Sequence, residues 1–287
     1  MLRLCLETVT PLAIRAGETG LDPTRSDLCC VRTQHHRHGS TVYIPGSSLK
    51  GVLRSTAEAH LRGHDGYWAC DPLDLGSKSR DKSRDKGPCK REQDDRAKTY
   101  QDNCHACRTF GSVSIRGRCS PRDLFPVPGG TNEALTGEAL DNFRRANHLE
   151  VRYGVAISRI SGAADGGKLF DQEVVPPGAR FYGEIALHNY QVWQLGLLLH
   201  ALDDLDRGFA QLGSSKTRGL GVVRVSIEAL VHEQRLGAGD RPLELAALVD
   251  GKTAKRYGLL PPHELPATAG EPWGLARRFA VDGDELE

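Results

Sequence analysis

Cys104-His105-Ala106-Cys107 places two thiols two residues apart, the spacing at which both sulfurs of one tight turn reach a single tetrahedral metal ion. Cys70 and Cys89 bracket the same polar stretch and are candidates for the other two positions, with His64 and His105 as alternative ligands. Four protein ligands leave no open coordination site, so such a zinc would order the loop and take no part in a reaction. A second motif, Gly213-Ser214-Ser215-Lys216-Thr217-Arg218-Gly219-Leu220-Gly221, offers phosphate chemistry. Glycines such as Gly213 and Gly219 let backbone N–H groups approach an anion, and Lys216 and Arg218 add charge, although the order of a Walker A loop is missing. The helix start Ser47-Ser48-Leu49-Lys50-Gly51, with Arg54 one turn on, is a further anion seat: free N–H groups, two hydroxyls and two cations converge there. Finally, His35-His36-Arg37-His38 sets three imidazoles in a short basic turn, where they could trade protons near neutral pH or simply form a solvated hairpin tip.

Periodicity supplies the elements that must hold these residues. Residues 2–9 alternate as a half-buried strand, and Thr41–Ile44 is a second extended run stopped by Pro45-Gly46. Leu49, Val52, Leu53, Ala57 and Leu61 share one face at a period near 3.6, predicting a helix capped by Ser47 and stopped at Gly63. Lys78–Lys98 carries 9 basic and 5 acidic residues with almost nothing apolar, which predicts an exposed loop. Strands are expected at Ser112–Arg118, Ala179–His188 and Gly221–Leu230, a helix at Val192–Leu205, and a β-hairpin excursion over Glu150–Val175. The order β, α, β, β, α, β is the ferredoxin-like pattern of an α+β fold, one antiparallel sheet backed by helices. Beyond Val231 the reading is an appendage with a short helix at Leu243–Val249.

Composition narrows the function classes. In 287 residues no apolar run approaches a membrane span, the first residues do not form a signal peptide, and a cytoplasmic protein with reduced or metal-bound cysteines is expected. The net charge of +1 divides into +4 over residues 1–231 and −3 beyond, too mildly basic to argue for nucleic acid by itself.

Taken in order, Tyr43-Ile44-Pro45-Gly46-Ser47-Ser48-Leu49-Lys50-Gly51-Val52-Leu53-Arg54, Cys104–Gly111, Val151–Glu173 and Gly213–Gly221 resemble the RAMP superfamily of CRISPR-associated proteins, and within it the backbone subunit of type III effector complexes. The resemblance implies a ferredoxin-like (RRM-like) palm over 1–231, with a zinc-binding insertion at about 64–110, a β-hairpin thumb at about 146–178 and an extension at 232–287. It implies CRISPR guide RNA, target RNA, copies of the chain and other effector subunits as partners, with Ser47, Ser48, Lys50, Arg54, Gly213, Lys216, Arg218 and Gly219 holding guide phosphates. It also implies cleavage of the target through an aspartate in the loop after the first strand. Ser26-Asp27-Leu28-Cys29-Cys30-Val31-Arg32 matches that loop best, so Asp27 is the catalytic candidate, helped by a divalent metal such as magnesium; Asp22 is the other carboxylate in reach. Two alternatives stay within the superfamily: a non-cleaving scaffold, and a repeat-processing endoribonuclease using His35 and His36. A general RRM-like module is weakened by the lack of RNP-type aromatics in its central strands.

Overall fold

The computed structural model describes residues 1–15, 26–64, 69–71, 89, 95–128, 134–235, 251–259, 271–273 and 276–282. Asp22, most of the charged run after Lys78 and the expected helix at Leu243–Val249 lie outside them.

The first strand, β1 (Leu2–Thr8), sits mid-sheet because its alternation leaves Leu2, Leu4 and Leu6 with no exposed surface to speak of. After it come β2 (Arg32–His35) and β3 (Gly39–Val42), which pair only with each other. Helix α1 (Gly46–Gly63) follows and buries the face read from its periodicity: Leu49, Val52, Leu53, Ala57 and Leu61. Short helices α2 (Arg96–Asp102) and α3 (His105–Phe110) lead to β4 (Cys119–Pro121) and α4 (Gly137–Asn147). The hairpin β5 (Glu150–Ile157) and β6 (Ala164–Val174) stands apart as its own two-stranded sheet, and then come β7 (Arg180–Leu187), α5 (Val192–Asp206) and β8 (Val223–Arg235). The chain closes with α6 (Gly251–Tyr257), β9 (Glu271–Trp273) and β10 (Ala276–Asp282).

The main sheet runs β4-β7-β1-β8-β10-β9, all pairs antiparallel. Its first four strands, with α1 and α5, reproduce the ferredoxin-like order expected from the sequence. Leu198, Ala201, Leu202 and Leu205 of α5 meet Leu49, Leu53 and Ala57 of α1 in one core with β1, Phe181 and Ile185. Each such fully buried leucine or phenylalanine contributes roughly 1.5–3 kcal/mol.

Three local expectations change. No strand forms over the expected Ser112–Arg118, because the Ser112 hydroxyl accepts the N–H groups of Ser114 and Ile115 and curls that segment into a turn, and the strand falls just after it at Cys119–Pro121. Helix α1 is entered through Pro45, whose carbonyl accepts from Ser48 and Leu49, and the exposed Ser47 side chain does not cap it. The residues after 231 are more than an appendage: β8 runs on to Arg235, and β10 pairs with its second half from Ala229 onward. No helix among the described residues is long and apolar enough to cross a membrane.

Candidate functional site

Cys70, Cys89, Cys104 and Cys107 come together as expected, all buried, with their sulfurs within 4.8 Å of one another. Cys104 caps α3 with its thiol, accepting the Cys107 N–H at 3.3 Å, and Cys89 accepts the Cys104 N–H at 3.2 Å. Sulfur separations of 3.6 Å (Cys70 to Cys107) and 3.8 Å (Cys70 to Cys104) match a tetrahedron; zinc–sulfur bonds of about 2.3 Å give edges of about 3.8 Å. The Cys104 thiol beside it, with burial, pushes Cys89 up to about 12. Cys104 itself is driven down by the hydrogen bonds it receives from Cys107 and Cys89, and Cys107 is driven up by Cys104. Four crowded thiols cannot all ionise by themselves, and a divalent ion is what lets all four be anionic. The donor set and its spacing therefore fit a structural metal site. His105 packs its ring edge-on against Trp193, and His64 is exposed, so neither joins the thiols.

Arg54 belongs to this knot. Its guanidinium donates to Glu58 at 2.8 Å, to the Gly111 carbonyl at 2.9 Å and to the Cys107 sulfur at 3.4 Å, which commits the donors expected to meet a phosphate. Lys50 and Ser48 are half-buried at the start of the same helix.

The carboxylate candidate Asp27 is exposed and strung along the hairpin. Leu28 donates its N–H to the Asp171 carbonyl and accepts from Glu173 N–H, so the segment runs parallel beside β6. Around this ladder the two aspartates exchange bonds: Asp27 N–H donates to Asp171 Oδ1 at 2.7 Å, and Asp171 N–H donates to Asp27 Oδ2 at 3.2 Å. Two residues on, Glu173 accepts from Cys30 N–H at 2.9 Å and from Arg32 at 3.2 Å. Gln172, between them and 7% exposed, accepts from Ser215 Oγ at 3.2 Å and from Arg15 at 3.4 Å.

That contact ties the glycine-rich loop to the same strand. Arg15 also donates to Ser215 Oγ at 3.0 Å, and Ser215 takes a left-handed backbone with φ 57°. The glycines dock the loop against the protein: a Cβ on Gly213 would stand 2.5 Å from the Ala13 carbonyl oxygen, and one on Gly221 only 2.0 Å from that of Leu212. The N–H groups of Ser214, Arg218, Gly219 and Gly221 are donated within the protein, so an anion would meet side chains more than backbone. Lys216 and Arg218 lie exposed on a single 3-10 turn, with the Arg218 guanidinium 5.0 Å above the Phe170 ring of β6. Asp171, Gln172, Glu173, Phe170, Arg15 and Ser215 do not stand out as site residues in the sequence; the trace there is a run of three polar residues between the apolar pairs Leu169-Phe170 and Val174-Val175.

The histidine turn is the tip of the β2–β3 hairpin. His35 stacks with His38 at 4.9 Å and meets Phe125 edge-on at 5.2 Å. Burial, then the positive neighbours His36, His38 and Arg37, hold His35 below the usual histidine range.

On the outer hairpin, Val151, Tyr153, Val155 and Ile157 alternate along β5 and remain exposed, Tyr153 at 74%. Asp171 pairs with Tyr153 across the strands and so shares that face.

A family model described as the RAMP superfamily matches residues 5–224, and the chain belongs to that superfamily. It is 27% identical over 204 residues to a protein named CRISPR system Cms endoribonuclease Csm3 from Methanothermobacter thermautotrophicus, a match covering 63% of this chain and 66% of that protein, just under two thirds of its length. A chain of a solved Type IV-B CRISPR complex superposes with a TM-score of 0.51 at 18% identity, over 79% of this chain and 89% of the other, and supports the fold.

Proposed function

We propose that this chain is a guide-RNA-binding backbone subunit of a type III CRISPR effector complex and that it cuts complementary target RNA. The observation that carries the reading is the meeting of three segments on β6: the Asp27 segment, the glycine-rich loop and the β5–β6 hairpin. Lys50, Lys216 and Arg218 hold guide phosphates, with Ser47, Ser48, Gly213 and Gly219 shaping the path; Arg54 is reassigned to the cysteine knot. The hairpin acts as a thumb whose exposed apolar face displaces bases of the target, so that a 2′-hydroxyl can line up with its neighbouring phosphate, a geometry a continuous duplex denies. The 2′-hydroxyl gives up its proton to water as its oxygen bonds to phosphorus, the bond to the 5′-oxygen breaks, and that oxygen takes a proton from water, giving a cyclic phosphate. Asp27, with its carboxylate exposed, suits a hard divalent ion such as magnesium, which would supply charge stabilisation at the phosphate when bound. Zinc in the cysteine knot is structural. The palm spans 1–231, and the extension at 232–287 adds strands to its edge.

The endoribonuclease in the name of the Methanothermobacter relative supports cutting over the scaffold alternative. The test is a complex reconstituted with Asp27→Ala. Guide and target should bind as before while cutting is abolished, and native-rate cutting with this subunit as the sole candidate nuclease overturns the assignment.

A further inference from the structure

Asp27 heads a segment that the backbone bonds of Leu28 and the Cys30 N–H tie to β6, and its own side chain is exposed. What orients the carboxylate is a reciprocal pair of hydrogen bonds from 144 residues away in the sequence. The backbone N–H of Asp171 holds Asp27 Oδ2, which leaves Oδ1 as the oxygen free to turn outward; the carboxylate of Asp171 in turn holds the N–H of Asp27 and so sets where the Asp27 backbone begins. The second bond is the shorter, at 2.7 Å against 3.2 Å, and both acceptors are carboxylate oxygens. Asp171 is itself fixed, since β6 is locked on one side by Val174, which is fully buried, and on the other by Phe170, whose ring lies over Gly154 so closely that a Cβ there would stand 2.3 Å from it.

We infer that Asp171 is a positioning residue for Asp27: its side-chain oxygen, through the Asp27 N–H, sets the distance of the Asp27 carboxylate from the scissile phosphate and couples that distance to the hairpin that displaces the target. The inference rests on the catalytic reading of Asp27. Its chemical requirement is an acceptor oxygen at the reach of an aspartate. Charge is not required, which separates positioning from metal ligation.

The experiment uses the reconstituted complex with Asp171→Asn, Asp171→Glu, Asp171→Ala and Asp27→Ala, reading single-turnover cutting rate, target affinity and the magnesium concentration at half-maximal rate. Asparagine keeps the oxygen in place without the charge, and should cut within about 3-fold of native with an unchanged magnesium midpoint. Glutamate keeps the charge but moves the oxygen by a methylene, and alanine removes it. A misplacement on the order of 1 Å costs about 100-fold, so both should slow cutting roughly 10- to 100-fold with target affinity unchanged. The glutamate and asparagine variants preserve a polar side chain of similar size and carry the test if the alanine complex does not assemble. Native rates in Asp171→Glu overturn the inference, as does an Asp171→Asn complex slowed to the level of Asp171→Glu. Native cutting in Asp27→Ala overturns the catalytic reading, and the inference falls with it; loss in Asp27→Ala beside native rates in Asp171→Ala and Asp171→Glu overturns the inference alone.

Discussion

Replacing Cys107 by serine tests the cysteine knot where it is most connected. Its sulfur lies 3.6 Å from that of Cys70 and accepts from Arg54 at 3.4 Å, so it joins the insertion to α1. Structural zinc contributes about 10–16 kcal/mol of apparent binding free energy in small domains at neutral pH, so one thiolate of four accounts for about 2.5–4 kcal/mol. Cys107→Ser should therefore weaken zinc binding roughly 100- to 1,000-fold. The damage stays local, because Leu61 and the four cysteines pack in a cluster separate from the core that joins β1, α1 and α5. Protein purified without chelators should hold about one zinc per chain, and cobalt substituted for it should show thiolate-to-metal absorption. Competition with a chromophoric chelator measures the affinity loss, and limited proteolysis should open Asp95–Gly111 in the variant while the palm's melting transition persists. Native protein with no zinc but a protected Asp95–Gly111 segment refutes the reasoning. So does a Cys107→Ser variant with native zinc affinity.

Lys216→Ala with Arg218→Ala should weaken binding to every guide sequence alike and flatten the dependence of log K on log salt by about 0.7 per lost contact, while Arg54→Ala leaves the slope unchanged; loss confined to one guide sequence contradicts this. His35→Ala and His36→Ala should each leave cutting within about 3-fold of native, and a chelator should stop native cutting; cutting that survives the chelator and fails in these variants moves the chemistry to the β2–β3 hairpin. Burial, then the charge of the Met1 amine, lowers His232 from its ordinary 6.5. The unfolded chain then takes up the proton first, so stability falls as pH drops through 6.5 toward the lower native value, and above 6.5 this contribution is fully present. Urea midpoints at pH 7.5 and 5.5 should differ less in His232→Asn than in the native chain, and an equal drop in both refutes the assignment.

The sequence was legible where one physical signal dominates. Leu49 to Leu61 share a face at a period near 3.6 that only a helix buries, and Leu2, Leu4 and Leu6 alternate as only a strand can use. The four thiols were legible by side-chain chemistry, since a polar loop offers little else to bury. Helix α4 was not, because its stripe of Ala139, Leu140, Phe143 and Ala146 is short and its most buried large side chain is Asn142, a polar residue whose amide bonds the Pro126 and Arg180 carbonyls. Strand β10 was hidden by its sequence distance from its partner β8, and the edge strand β9 by its three-residue length beside β10. Arg54 reads as a phosphate ligand from its helix-start neighbours, yet Glu58 one turn later and a sulfur 53 residues away claim it.

The strand β6 shows why hairpin register matters to function. Side chains alternate faces along a strand, so Asp171 and Glu173 turn one way, to Asp27 and to Cys30 and Arg32, while Phe170 and Gln172 turn the other, to Arg218 and Ser215. One side thus carries the segment proposed to cut and the other the loop proposed to hold the guide. A slip of one residue would exchange the faces, placing Gln172 against Asp27 and an acidic side chain beside Ser215 and Arg218. The register is held at both ends of this run, by the Leu12 to Val175 bridge and by the Phe170 ring filling the space that Gly154 leaves. A larger residue at Gly154 would therefore disturb the separation of the two faces, although it touches neither the acidic pair nor the cations itself.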